Sequence, residues 1–192
     1  MKSYKATRNP ILLQVRAGEI ICVMDANRNN YQLQLNKTNQ SASAVIALHQ
    51  TPAATSGLPI HPNDTVLDIL YNWLADAPVV SVESTIEQFG LEDALLVSFS
   101  ALDQDARYRL QVLKAVLEGA PVLEFVAPWR IVGFSDFLRG VYDFVSDYSQ
   151  QTGRPLPALV AYDPGYLPGL AFIADRVLEP RSEALVELLS DW

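Results

Sequence analysis

The sequence holds few side chains able to serve as nucleophile, base or ligand. Its single cysteine, Cys22, stands between Ile21 and Val23. In so apolar a run a thiol is buried, its pKa rises and it is inert. One thiol also excludes a disulfide within the chain and a zinc site built from several cysteines. The two histidines, His49 and His61, bracket a connection rich in Pro, Gly, Thr and Ser. A base or ligand role for either would need a partner such as Asp64 or Asp76 to fix the tautomer. His49-Gln50-Thr51 has the H-x-T form of two-histidine phosphoesterases, but His61-Pro62-Asn63 is not the second triplet such enzymes need. Neither a nucleophile elbow (G-x-S-x-G), nor a phosphate loop (G-x-x-x-x-G-K-S/T), nor a dinucleotide fingerprint (G-x-G-x-x-G) is present.

Carboxylates are more plentiful. Asp64, Asp68 and Asp76 fall on one helical stripe. Such a stripe can share Mg²⁺, but it is also what a solvated helix face looks like, and that reading is preferred. Glu124 sits between Leu123 and Phe125, where alternation would turn it to a wet face. A positional rule offers more than any motif: ligands of open α/β sheets lie beyond the carboxyl ends of the strands. The ends expected here bring Ser100, Trp129, Arg130, Tyr162, Asp163 and Tyr166 toward one pocket. Trp and Tyr would give apolar walls with polar tips, and Asp163 with Arg130 would orient a small polar ligand. No catalytic residue, metal or cofactor is assigned.

The elements that would carry these groups follow from periodicity. Residues 10–16, 19–24, 31–35 and 44–48 read as four strands, and the turn signals between them predict an N-terminal antiparallel meander. Residues 1–50 would form that subdomain, 51–63 a connection, and 64–192 an α/β portion, the whole making one compact domain. Helical periods recur over 65–75, 101–118 and 135–150, each running into a proline-led apolar stretch at 77–82, 121–127 and 157–162. Further strands are expected at 94–99 and 170–173, a short helical turn at 85–89, and a terminal helix at 182–189. The class expected is α/β, with α+β as the variant, and a mixed sheet of about six to eight strands packed by three or four helices.

Composition bounds the function classes. At 192 residues, 49% apolar and 19% charged, the chain is ordinary globular material. No apolar run is long enough to span a membrane, and Ile11-Leu12-Leu13 is too short for a signal peptide core. With a single cysteine, a cytoplasmic setting is expected. The net charge is −8. Residues 1–62 carry six basic and two acidic side chains, whereas residues 63–192 carry eight and twenty. Such an acidic balance argues against nucleic-acid binding and suits a basic protein partner. The leading expectation is therefore a non-enzymatic protein-binding module, of adaptor, chaperone or inhibitor type. It would use the acidic helical faces of Asp68, Asp143 and Asp147 with the aromatics Trp129, Tyr142, Tyr148, Tyr166 and Trp192 as anchors. The alternatives are a small hydrolase or transferase with its site near Asp163, and an assembly subunit pairing through the N-terminal strands.

Overall fold

The computed structural model describes residues 10–35, 43–47, 58–75, 80–181 and 184–188. Eight strands and four α-helices follow one another in it. They are β1 (Ile11–Val15), β2 (Ile20–Val23), β3 (Tyr31–Leu35), β4 (Ser43–Ala47), α1 (Val66–Leu74), α2 (Val82–Phe89), α3 (Gln104–Leu117), β5 (Val122–Val126), α4 (Phe134–Thr152), β6 (Ala158–Tyr162), β7 (Arg176–Arg181) and β8 (Ala184–Leu188). The main sheet has the order β4-β5-β6-β2-β7-β8. Its first five strands are parallel, and β8 returns antiparallel on β7. The α/β class expected from the sequence holds.

The antiparallel N-terminal meander does not form. β1 and β3 pair with each other, in parallel, as a separate two-stranded sheet. β2 lies in the middle of the main sheet between β6 and β7, and β4 lies beside β5, all in parallel. The physical reason is in the burial of each strand. β1 alternates, with Leu13 and Val15 buried and Leu12 and Gln14 exposed, as suits a strand covered on one face. All four residues of β2 are buried. A continuous apolar run of that kind belongs inside a parallel sheet covered on both faces, not in a hairpin with one wet side.

Two layers provide that cover. On one face, Leu13, Val15 and Tyr31 of the small sheet pack over Ile21, Val23, Val122, Val160 and Tyr162. On the other face the helices bring Leu70, Leu110, Leu113, Leu138, Val141 and Phe144 against Cys22, Leu123, Phe125, Leu159 and Ala161. α3 buries Ala106, Leu110, Leu113 and Leu117 along its inner side, and Leu102 just ahead of it is buried as well. Asp103 caps α3 by accepting the Ala106 N–H at 2.8 Å. α4 starts from Gly133 in a left-handed conformation.

Four further elements differ from expectation. The stretch 94–99 forms no strand: its carbonyls at Leu95 and Val97 accept the N–H groups of Leu67 and Val66, satisfying the start of α1. Val82 opens α2 instead of ending a strand, and residues 76–79 lie outside the described residues. Pro168–Phe172 is a 3-10 turn. Residues 184–188 are strand β8, not helix, because the free edge of β7 offers them a ladder.

Candidate functional site

The carboxyl ends of β2, β5 and β6 meet at one end of the sheet, since the three strands are parallel and adjacent. After β2 the chain makes a short polar loop and a three-residue 3-10 turn, Arg28–Asn30, then enters β3 directly. Asp25 organises this loop. It accepts the Asn27 N–H at 2.9 Å, the Asn30 amide at 2.9 Å and the Tyr31 hydroxyl at 2.8 Å. Burial alone would raise the Asp25 pKa, but these donors outweigh it and hold the carboxyl below its ordinary value. Burial, and after it the same contact, pushes the Tyr31 hydroxyl up.

Glu124 is the most deeply placed charge. It is fully buried in β5, between the main sheet and the small one. Arg28 donates to it from both Nε and Nη2, each at 2.7 Å, a bidentate fork across 96 positions of sequence. The Tyr162 hydroxyl donates to the same carboxylate at 2.8 Å, and the Tyr162 ring lies 5.6 Å from that of Tyr31. Hydrogen bonding to Glu124 raises the Arg28 pKa, and burial followed by the Glu124 charge raises that of Tyr162. So close a planar pair is among the stronger charge-assisted contacts, and a buried carboxylate requires something of the kind.

The loops after β5 and β6 form the rim. Ala127 leaves β5 with φ 56° and ψ 48°, the one non-glycine residue with positive φ among the described residues. Trp129 follows in a 3-10 turn and meets Tyr166 edge to face at 5.3 Å. Asp163 is buried and faces inward, accepting the backbone N–H groups of Tyr166 at 3.2 Å and Leu167 at 3.0 Å. On these two loops three side chains stand in water: Tyr166 at 66%, Val132 at 83% and Phe172 at 82% exposure. Gly169 lies close under Ser135, so the β6–β7 loop rests on the first turn of α4.

Of the residues singled out from the sequence, Trp129, Tyr162, Asp163 and Tyr166 gather at this end, and Arg130 is exposed on the same turn as Trp129. Asp68 is on α1, where it completes a capping box with Thr65. Asp143 and Asp147 are exposed on α4. α2 packs against both α1 and α4, separating the first acid from the other two. Tyr148 is buried and stacked on Phe144, and Tyr142 is half-buried, so neither is a surface anchor. His61 is exposed, while His49 and Trp192 lie outside the described residues. Burial pushes the Cys22 thiol up to about 12. Among the described residues no group of three or more His, Cys, Asp and Glu side chains is placed to hold a metal ion, and no helix is long and apolar enough to cross a membrane.

Sequence reasoning missed Arg28, the inward turn of Glu124, and the exposed Val132 and Phe172. A signal for Glu124 existed: Val122 to Val126 is apolar on both sides of it, the mark of a strand covered on both faces.

No protein-family model matches the chain, and no curated protein does. Solved structures do. A structure described as the ATP binding subunit of an ABC transporter superposes with a TM-score of 0.52 at 11% identity, covering 91% of this chain and 80% of that one. The fold is similar to that of an ABC transporter's ATP-binding subunit. At this identity the likeness is one of fold alone. A putative metal-chelate type ABC transporter in an inward-facing conformation also aligns, at a TM-score of 0.43 and 11% identity, over 90% of this chain and 73% of that one.

Proposed function

We propose that this chain is a non-enzymatic protein-binding module whose docking surface is the rim at the carboxyl ends of β5 and β6. The observation that carries the reading is that the loops leaving these two strands expose Val132, Tyr166 and Phe172, with Tyr166 packed edge to face on Trp129. In a sheet of this kind these loops are where a ligand is met. Clustered, well-exposed large apolar groups mark contact surfaces, and aromatic anchors dominate binding energy in such patches. The acids of α4, Asp143 and Asp147, add a field that favours a basic partner. Support for a catalytic site at Asp163 is weaker, because both of its carboxylate oxygens already accept backbone N–H groups.

The test is an affinity capture from native cells with the wild-type chain and the variant Val132→Ser/Tyr166→Ser/Phe172→Ser. These three side chains contribute little to the core, so the variant folds. The expected result is a partner retained by the wild type, weakened by salt and by Asp143→Lys/Asp147→Lys, and lost by the triple variant. Retention of the same partners by the triple variant would end the proposal.

A further inference from the structure

A phosphate cradle in a nucleotide-binding sheet needs three things. A strand must lead through a glycine-rich loop into a helix, so that free backbone N–H groups converge on the phosphates. A lysine must reach the terminal phosphates, and a serine or threonine must hold Mg²⁺. We infer that this chain, although its fold is similar to that of an ATP-binding subunit, takes no nucleoside triphosphate: by sequence none of residues 24–30, 48–65, 127–133 and 163–175, which follow the parallel strands β2, β4, β5 and β6, is a lysine, and after β2 and β6 internal carboxylates take donors that a phosphate would need.

The loop after β2, Met24 to Asn30, has no glycine, lysine, serine or threonine. It opens into strand β3, so there is no helix N-terminus at its end. Its N–H groups are turned inward: Asn27 to the Asp25 carboxylate, Asn29 to the Asn27 side chain, and Asn30 to the Asn27 carbonyl. Its one cation, Arg28, is held by Glu124. The β5–α4 connection does lead from strand to helix. α4 starts without a side-chain cap and has Ser135 in its first turn, yet residues 127–136 offer one glycine and no lysine, Pro128 has no N–H, and the N–H groups of Arg130 and Ile131 bond to the carbonyls of Ala127 and Pro128. After β6, the N–H groups of Tyr166 and Leu167, which would suit an anion, converge on Asp163. In each of two loops an internal carboxylate thus stands where a bound anion's oxygens would. Asp25, Glu124 and Asp163 together set three negative charges against the guanidiniums of Arg28 and Arg130 at this end, which repels a polyphosphate further.

This inference is independent of the docking rim, since a protein partner needs no phosphate site. The test is a titration of the full chain with a fluorescent ATP analogue and Mg²⁺ to ~1 mM, a level that saturates any micromolar site. Thermal unfolding with ATP and Mg²⁺, and calorimetry with inorganic tripolyphosphate, accompany it. The expected result is no saturable signal, no shift in melting temperature and no heat beyond dilution. Saturable binding of either probe with a Kd below about 100 µM, or a melting temperature that rises with ATP concentration, would overturn it.

Discussion

Removal of Arg28 tests the buried pair most severely. In Arg28→Ala the Glu124 carboxylate loses two charge-assisted hydrogen bonds while remaining fully buried, with the Tyr162 hydroxyl still donating. Breaking a buried pair on one side costs about 3–5 kcal/mol, because an uncompensated charge stays inside. Arg28 is itself 32% exposed, so the pair is partly screened, and the lower end, about 3 kcal/mol at pH 7, is the expected loss. For a chain of this size that lowers the melting temperature by roughly 6–12 °C. The sign of the pH effect follows from linkage. A buried carboxylate stripped of its guanidinium takes up a proton more readily, so the folded variant binds more protons than the unfolded one and its stability rises as pH falls. The deficit relative to wild type should therefore shrink between pH 7 and about pH 5. Replacing the whole set, as Arg28→Met/Glu124→Leu/Tyr162→Phe, removes the charge and leaves no buried hydroxyl without an acceptor, and should return stability to within about 1 kcal/mol of wild type. Urea unfolding followed by circular dichroism at both pH values measures all three. An Arg28→Ala variant within about 0.5 kcal/mol of wild type at pH 7, with no pH dependence of the difference, would refute the pairing.

Other expectations rest on single contacts. A methyl group added at Gly140 would overlap the Gln88 carbonyl oxygen where α2 crosses α4, so Gly140→Ala should cost about 1–3 kcal/mol in chemical denaturation. Ala127→Gly relieves a left-handed conformation worth about 1–2 kcal/mol at an entropic cost of about 0.5–1, so a net gain of up to about 1.5 kcal/mol is expected by the same assay. The Cys22 thiol, buried and pushed up to about 12, should resist a thiol reagent at pH 8 in the native protein and react at once in denaturant.

How much the sequence disclosed depended on what each residue's neighbours decide. The helical spacing of Phe134, Phe137, Leu138, Val141 and Val145 is local, and α4 follows it. Strand partners are not local. The short connection between β1 and β2 looks like a hairpin, yet the continuous Ile20–Val23 run is drawn into the sheet interior while Leu13 and Val15 face it from a second layer. Ala184-Leu185-Val186-Glu187-Leu188 fits a helix or a strand equally, and only the open edge of β7 decides. Strand ends were enough to place Trp129, Tyr162, Asp163 and Tyr166 at one end of the sheet. The Arg28–Glu124 pair joins positions 96 apart, and no periodicity reports such a meeting. Exposure of Val132 and Phe172 is equally silent in sequence, because an apolar residue in a loop reads as core until the packing is known.

The docking rim is tested most directly by photo-crosslinking in native cells, with a photoreactive amino acid placed singly at Tyr166, Val132 or Phe172 and, as a control, at Gln151. Gln151 is exposed near the far end of α4, away from the rim. Covalent adducts of one defined protein mass at the three rim positions, and none at Gln151, are the predicted result. Absence of adducts at the rim, or the same adducts at Gln151, would contradict the account.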